Sequence, residues 1–198
     1  MSRDPLRLQE SAVAGVETQT KQDVTWKVRT RAELYHHKHW KNPDGSYNAP
    51  DYVVESTGNM LVRGGASIIW ECLKGSGSTA STSAKKYFNA TAALGVGNST
   101  AAATNIQTAL QAASSRQLLK ALTGGFPTHT TGSSAATVAD IVYKSTYGLT
   151  EANFAWQEWG LFNKAGTTQR RMLNRKVQSL LTKTSAASAT LTVTLSLA

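Results

Sequence analysis

The C-terminal ten residues, ATLTVTLSLA, alternate without interruption. Leu191, Val193, Leu195 and Leu197 fall on one side, and Thr190, Thr192, Thr194 and Ser196 on the other. Side chains of a strand point alternately to its two faces, so this pattern predicts a strand with one apolar and one hydroxyl face. VTWKVRTR near the start repeats the period, with Val24, Trp26 and Val28 set against Thr25, Lys27 and Arg29. ATVADIVYKSTYG (136–148) alternates more weakly, and YFNATAALGVGNS (87–99) reads as a strand running into a turn. EANFAWQEWGLFN (151–163) is followed by the turn-like KAGTT and then by RRMLNRKVQSL, which predicts a hairpin.

The segment 151–163 departs from the simple pattern. By alternation Phe154, Trp156, Glu158 and Phe162 share one face, and Ala155, Trp159 and Leu161 the other. Neither face is polar, so both need cover: core on one side, and a helix or a neighbouring subunit on the other. Two segments read as helices. One spans 56–75, capped by Ser56 or Thr57 and weakened by Gly64 and Gly65. The second spans 101–122, with Ile106, Leu110, Ala113 and Leu118 near helical spacing and Gly124 as its stop. The expected fold is mainly β with helical insertions. It is an antiparallel β-sandwich, jelly-roll or immunoglobulin-like, over residues 56–198 with two helices.

Residues 1–55 lack the aliphatic content for a core of their own, and Pro43, Asp44, Gly45 and Pro50 mark turns. Yet Trp26, Val28, Tyr35, Trp40, Tyr47 and Tyr52 are costly to leave in water. This predicts an extended N-terminal arm that binds a partner, with VTWKVR able to add a strand to a neighbouring sheet. On that reading, residues 1–50 can be removed without unfolding the domain. The alternative is that the arm folds back on its own domain.

Charge adds a second expectation. Of the net +9, residues 64–198 carry +8, and Lys164, Arg170, Arg171, Arg175, Lys176 and Lys183 lie within twenty residues that contain one sign of charge. A cluster of one sign implies an acidic partner, so Lys164, Arg170, Arg171, Lys176 and Lys183 are expected to form a basic docking surface. Glu158, set among aromatics, needs a counter-charge if buried; Arg175, then Arg171, on the hairpin partner strand, are its candidate mates.

Little points to catalysis. The single cysteine, Cys72, excludes an internal disulfide framework and reads as a buried thiol. His36, His37 and His39 lack a neighbouring carboxylate or cysteine at ligand spacing, so no metal or other cofactor is expected. GVGNST (95–100) lacks the Gly-Lys-Ser/Thr ending of a phosphate loop. His129 stands alone in a Gly/Thr-rich loop, and Glu151 and Glu158 fall on opposite faces of a regular strand. An enzyme is therefore not expected. Nucleic acid is a disfavoured partner, because no helix carries a row of Arg and Lys. No apolar run approaches the ~18 residues of a membrane span, and the polar start shows no signal peptide, so a soluble intracellular product is expected.

The residues also carry a resemblance. LGVGNSTAAATNIQTALQ, then TGGFPT, EANFAWQEWGLFN and RMLNRKVQSLLTKTSAASATLTVTLSLA resemble a group of tailed-bacteriophage virion structural proteins. In these an Ala/Thr-rich G-x-G turn precedes an E-x-G-L-F-N strand and a final alternating strand. The match lies within residues 56–198. The resemblance implies synthesis in the host cytoplasm and a virion location, assembly with other virion proteins (the major capsid protein, or neck or tail proteins), and formation of homo-oligomers. A capsid decoration or cement protein is the preferred role. The alternatives are a neck, baseplate or tail-fibre component, or a carbohydrate- or nucleic-acid-binding module.

Overall fold

The computed structural model describes residues 26–36, 48–66, 69, 88–129, 140–167 and 170–197. These form two five-stranded antiparallel sheets packed face to face as a β-sandwich. The first sheet has the order β2-β1-β10-β7-β6: β1 is Trp26–Tyr35, β2 Tyr52–Thr57, β6 Thr128–His129, β7 Asp140–Tyr147 and β10 Ser188–Leu197. The second runs β3-β9-β8-β4-β5: β3 is Met60–Leu61, β4 Ala93–Gly97, β5 Gln117–Ala121, β8 Ala155–Phe162 and β9 Met172–Thr182.

The first sheet follows its sequence pattern. Val28, Ala32 and Leu34 of β1 join Leu191, Val193 and Leu195 of β10 and Tyr143 and Tyr147 of β7 in the core between the sheets. The opposite face carries Lys27, Arg29 and Arg31 opposite Ser196, Thr194 and Thr192. Across the core, the Tyr147 hydroxyl donates to the Leu94 carbonyl on β4 (2.8 Å). Its ring meets Trp156 edge-on, with centroids 4.8 Å apart.

Here the arm expectation is corrected. Residues 26–35 pair along their full length with β10, and Tyr52–Thr57 pairs with β1, so both belong to the sandwich. Val28 and Tyr35 are buried, and Trp26 packs against the same core. Their apolar positions are too few to form a core alone, but at period two they complete the inner face that β10 begins. Removing residues 1–50 would uncover Leu191 and Leu195, so truncation should unfold the domain. The boundary expected at residue 56 falls inside β2. Tyr52 is half exposed at 50% on that edge strand, while Trp40 and Tyr47 lie outside the described residues.

Both predicted helices are also corrected. Residues 56–57 and 60–61 are strand, and helical backbone begins only at 63. The rest of that expected helix, including Cys72, lies outside the described residues apart from residue 69. Residues 101–113 are irregular rather than helical, and Ile106 is 68% exposed. A short 3-10 turn, Ser114–Arg116, leads from them into β5.

Candidate functional site

β8 lies in the middle of the second sheet, and its faces are not those that alternation predicts. A register shift between Trp156 and Glu158 relative to β9 breaks the alternation. Trp156 therefore joins Trp159 and Leu161 in the core between the sheets. Glu158 and Phe162 remain on the outer face, where Phe162 forms a second apolar cluster with Val62, Leu110 and Met172. Among the described residues, no long helix covers this outer face. The irregular loop 101–113 of the same chain covers it.

Glu158 and Arg175 hold that loop. Both side chains are fully buried, and Arg175 Nε donates to Glu158 Oε2 at 2.6 Å. Glu158 Oε1 also accepts from the backbone N–H groups of Gln111 (3.0 Å) and Ala112 (2.7 Å). Arg175 Nη1 donates to Gln107 Oε1 (2.9 Å), and Nη2 donates to the Ala101 carbonyl (2.9 Å). Each charge thus has its counter-charge and hydrogen bonds from or to a loop that lacks regular ladder partners. A buried ion pair needs both conditions to be tolerated. Arg171, the second candidate mate of Glu158, is exposed and takes no part in the pair.

The glycines of GVG make room for this arrangement. A Cβ on Gly97 would stand 2.5 Å from Glu158 Oε1 and 3.0 Å from the Ala112 side chain. A Cβ on Gly95 would stand 2.9 Å from the Phe162 ring and 3.1 Å from Leu110. Glycine at alternate positions of a strand marks a close approach on that face. The G-x-G segment, expected as a turn, is the end of strand β4 and the seat of the loop and of the carboxylate.

The basic surface is corrected in part. Lys183 is 1% exposed, and its ammonium donates to Asn153 Oδ1 (2.7 Å) and to the carbonyls of Leu149 and Thr184. Burial pushes its pKa down from the ordinary lysine value. Lys176 bridges to the Ser56 hydroxyl (3.1 Å) and the Thr57 carbonyl, tying β9 to the end of β2, and burial lowers its pKa too. Both lysines satisfy backbone carbonyls of their own domain. Of the expected surface, Lys164, Arg170 and Arg171 remain, at and beside the turn between β8 and β9.

Two asparagines that sequence reasoning passed over close this end of the hairpin. Asn163 Oδ1 accepts from Arg171 N–H (2.7 Å), and Asn174 Oδ1 accepts from Leu161 N–H (3.0 Å). Both are buried. The final Asn of the E-x-G-L-F-N motif was the available signal, since an amide there can replace a missing ladder bond. Next to them opens a cleft of about 250 Å³, lined by Val62, Gly64, Gln107, Thr108, Met172 and the two arginines 170 and 171.

Among the described residues no group of three or more His, Cys, Asp or Glu could hold a metal, and no helix is long and apolar enough to cross a membrane. His36 lies with its Nδ1 3.6 Å from Asp51, while His37 and His39 lie outside the described residues. No protein-family model, curated protein or solved structure matches the chain.

Proposed function

We propose that the chain is a non-enzymatic structural protein of a tailed-bacteriophage virion, a decoration or cement protein that binds the major capsid protein in many copies. The resemblance of its G-x-G and E-x-G-L-F-N segments to such proteins supports this reading. One observation carries it: the charged residues inside those segments are engaged in holding the chain together. Glu158 is bound by Arg175 and two loop amides, so its lone pairs serve a mechanical purpose. A shell component needs a rigid sandwich with firmly seated loops, and this pair seats loop 101–113 over the second sheet.

The attachment mode changes with the structure. Residues 26–35 complete the sandwich, so attachment through them is withdrawn, and the exposed surface takes over that role. A quantitative protein inventory of particles from the genome that encodes the chain tests the proposal. Hundreds of copies per particle are expected. A dozen or fewer would move the protein to the neck or tail, and absence from particles would overturn the reading.

A further inference from the structure

We infer that the cleft beside the clasped loop receives an acidic segment of a partner polypeptide, with Arg170 and Arg171 holding its carboxylate over an apolar floor. Identifying that partner with a capsid surface rests on the function proposed above; the cleft chemistry stands apart from it.

The two arginines are placed for such a ligand. The Arg170 guanidinium lies over the Phe162 ring, 5.6 Å from its centroid, and Phe162 is itself fully buried. A cation–π contact of this kind uses none of the guanidinium N–H donors as hydrogen bonds to an acceptor, so they remain available to a carboxylate. Arg171 is anchored through its backbone, which donates to Asn163 Oδ1 (2.7 Å) and accepts from Asn163 N–H (3.1 Å). Among the described residues neither guanidinium has a hydrogen-bonding or ion-pair acceptor. Outside residues 140–151, Glu158 is the only acidic residue after Glu71, and it is buried against Arg175. Of the other described carboxylates, Glu33 and Glu55 pair with Arg31 and Glu151 pairs with Lys120, and none forms an ion pair with either arginine of this turn.

The remaining walls add selectivity. Val62 and Met172 are 1% and 2% exposed and form an apolar floor. Gln107 is held by Arg175 Nη1, by the Thr104 N–H (2.9 Å) and by the Ala102 carbonyl, so that wall is fixed before anything binds. Thr108 is exposed on the same wall and offers a hydroxyl. A volume of about 250 Å³ falls short of the roughly 300–1,000 Å³ typical of small-molecule sites. It suits one acidic side chain with an apolar neighbour, reaching in from another protein's surface. Pre-fixed walls reduce the ordering cost of such a contact.

The test uses the full-length protein and a fluorescein-labelled peptide of alternating Glu and Leu, followed by anisotropy. Binding is expected to weaken as salt rises from 50 to 300 mM, as screening shortens the reach of exposed charges. Arg170→Ala and Arg171→Ala should each weaken it about tenfold or more, the scale of a lost charge-assisted hydrogen bond. Arg170→Lys should recover only part of the loss, since an ammonium cannot form the bidentate pair. Lys27→Ala/Arg29→Ala, on the far face of the first sheet, should leave binding unchanged. Thermal melts confirm that each variant is folded. No binding by the wild type, equal binding by the arginine variants, or equal loss in the far-face variant would overturn the inference. So would full displacement of the peptide by millimolar phosphate or citrate, which would mark a small-anion site. The particle inventory is independent: a protein absent from particles that still binds the peptide defeats the virion reading alone.

Discussion

The two sheets of the sandwich share a core and differ in how they finish their outer faces. The first exposes its outer face, where Lys27, Arg29 and Arg31 stand opposite the hydroxyls of Ser196, Thr194 and Thr192. Its Arg31 pairs are open on the arginine side: Arg31 contacts Glu33 at 2.8 Å and Glu55 at 2.5 Å, with the Arg31 side chain 43% exposed and that of Glu33 13%. The second sheet buries its outer face under loop 101–113, and the Glu158–Arg175 pair on that face is fully enclosed. The same layer architecture thus supports a solvated face that depends on alternation alone. It also supports a covered face that depends on one non-local charge pair. Fragility should concentrate in the second.

Glu158→Gln is the most severe single test of that difference. It leaves Arg175 buried without its counter-charge and weakens the acceptor for two loop amides, an expected loss of about 3–5 kcal/mol. Urea denaturation measures it, and a loss below ~1 kcal/mol would place the pair in the same class as the surface pairs of the first sheet.

Gly97→Ala asks whether the seat is as tight as its geometry. The new methyl would meet the Glu158 carboxylate and Ala112, so a loss of about 1–3 kcal/mol is expected from overpacking. At Gly124, where an added Cβ meets nothing within 4 Å, the same substitution should leave the loop contacts intact.

Alkaline pH sharpens the comparison from the other side, because three core tyrosines belong to the first sheet. Burial, with Glu33 beside it, pushes the Tyr35 phenol up to about 12, and burial also pushes up Tyr143 and Tyr147. Unfolded, they ionise near their ordinary value of 10.0. The folded protein therefore retains protons that the unfolded chain releases, and their stabilisation is lost as pH rises past 10. Lys183 acts in the opposite sense, since its lowered pKa lets it shed a proton in the fold before 10.5. Melting temperature against pH should thus fall above about pH 10. A Tyr35→Phe variant should show a shallower fall.

Arg31→Ala should have the smallest effect, at the level of an exposed pair, below ~1 kcal/mol. A larger loss in denaturant titration would show that the open face is held by charge as well.

Strands β1, β7 and β10 of the first sheet were legible in the sequence because period-two alternation is a local signal, whereas β2 falls across the expected arm and helix. Even among the legible strands, the position of β1 was misread: Val28, Ala32 and Leu34 look sparse until paired with Leu191 and Leu195, some 160 residues away. The Glu158–Arg175 pair was readable from chemistry, since a carboxylate among aromatics demands a cation on the neighbouring strand. Its loop was not. Ile106, Leu110 and Ala113 have helical spacing, but the amides of Gln111 and Ala112 bind Glu158 instead of a helix's own carbonyls. The register shift after Trp156 has no mark in the composition of β8, so its faces were assigned by an alternation that fails there. Lys183 looked like surface charge because its acceptors, Asn153 and Leu149, lie on a separate turn.

Amide hydrogen exchange at Gln111 and Ala112, in the wild type and in Glu158→Gln, tests the central structural claim most directly. The account predicts strong protection of both amides in the wild type although they lie in an irregular loop. It predicts loss of that protection in the variant, while amides of β1, β7 and β10 remain protected. Equal protection of Gln111 and Ala112 in the two proteins would contradict it, for the loop would then be held by something other than the buried pair.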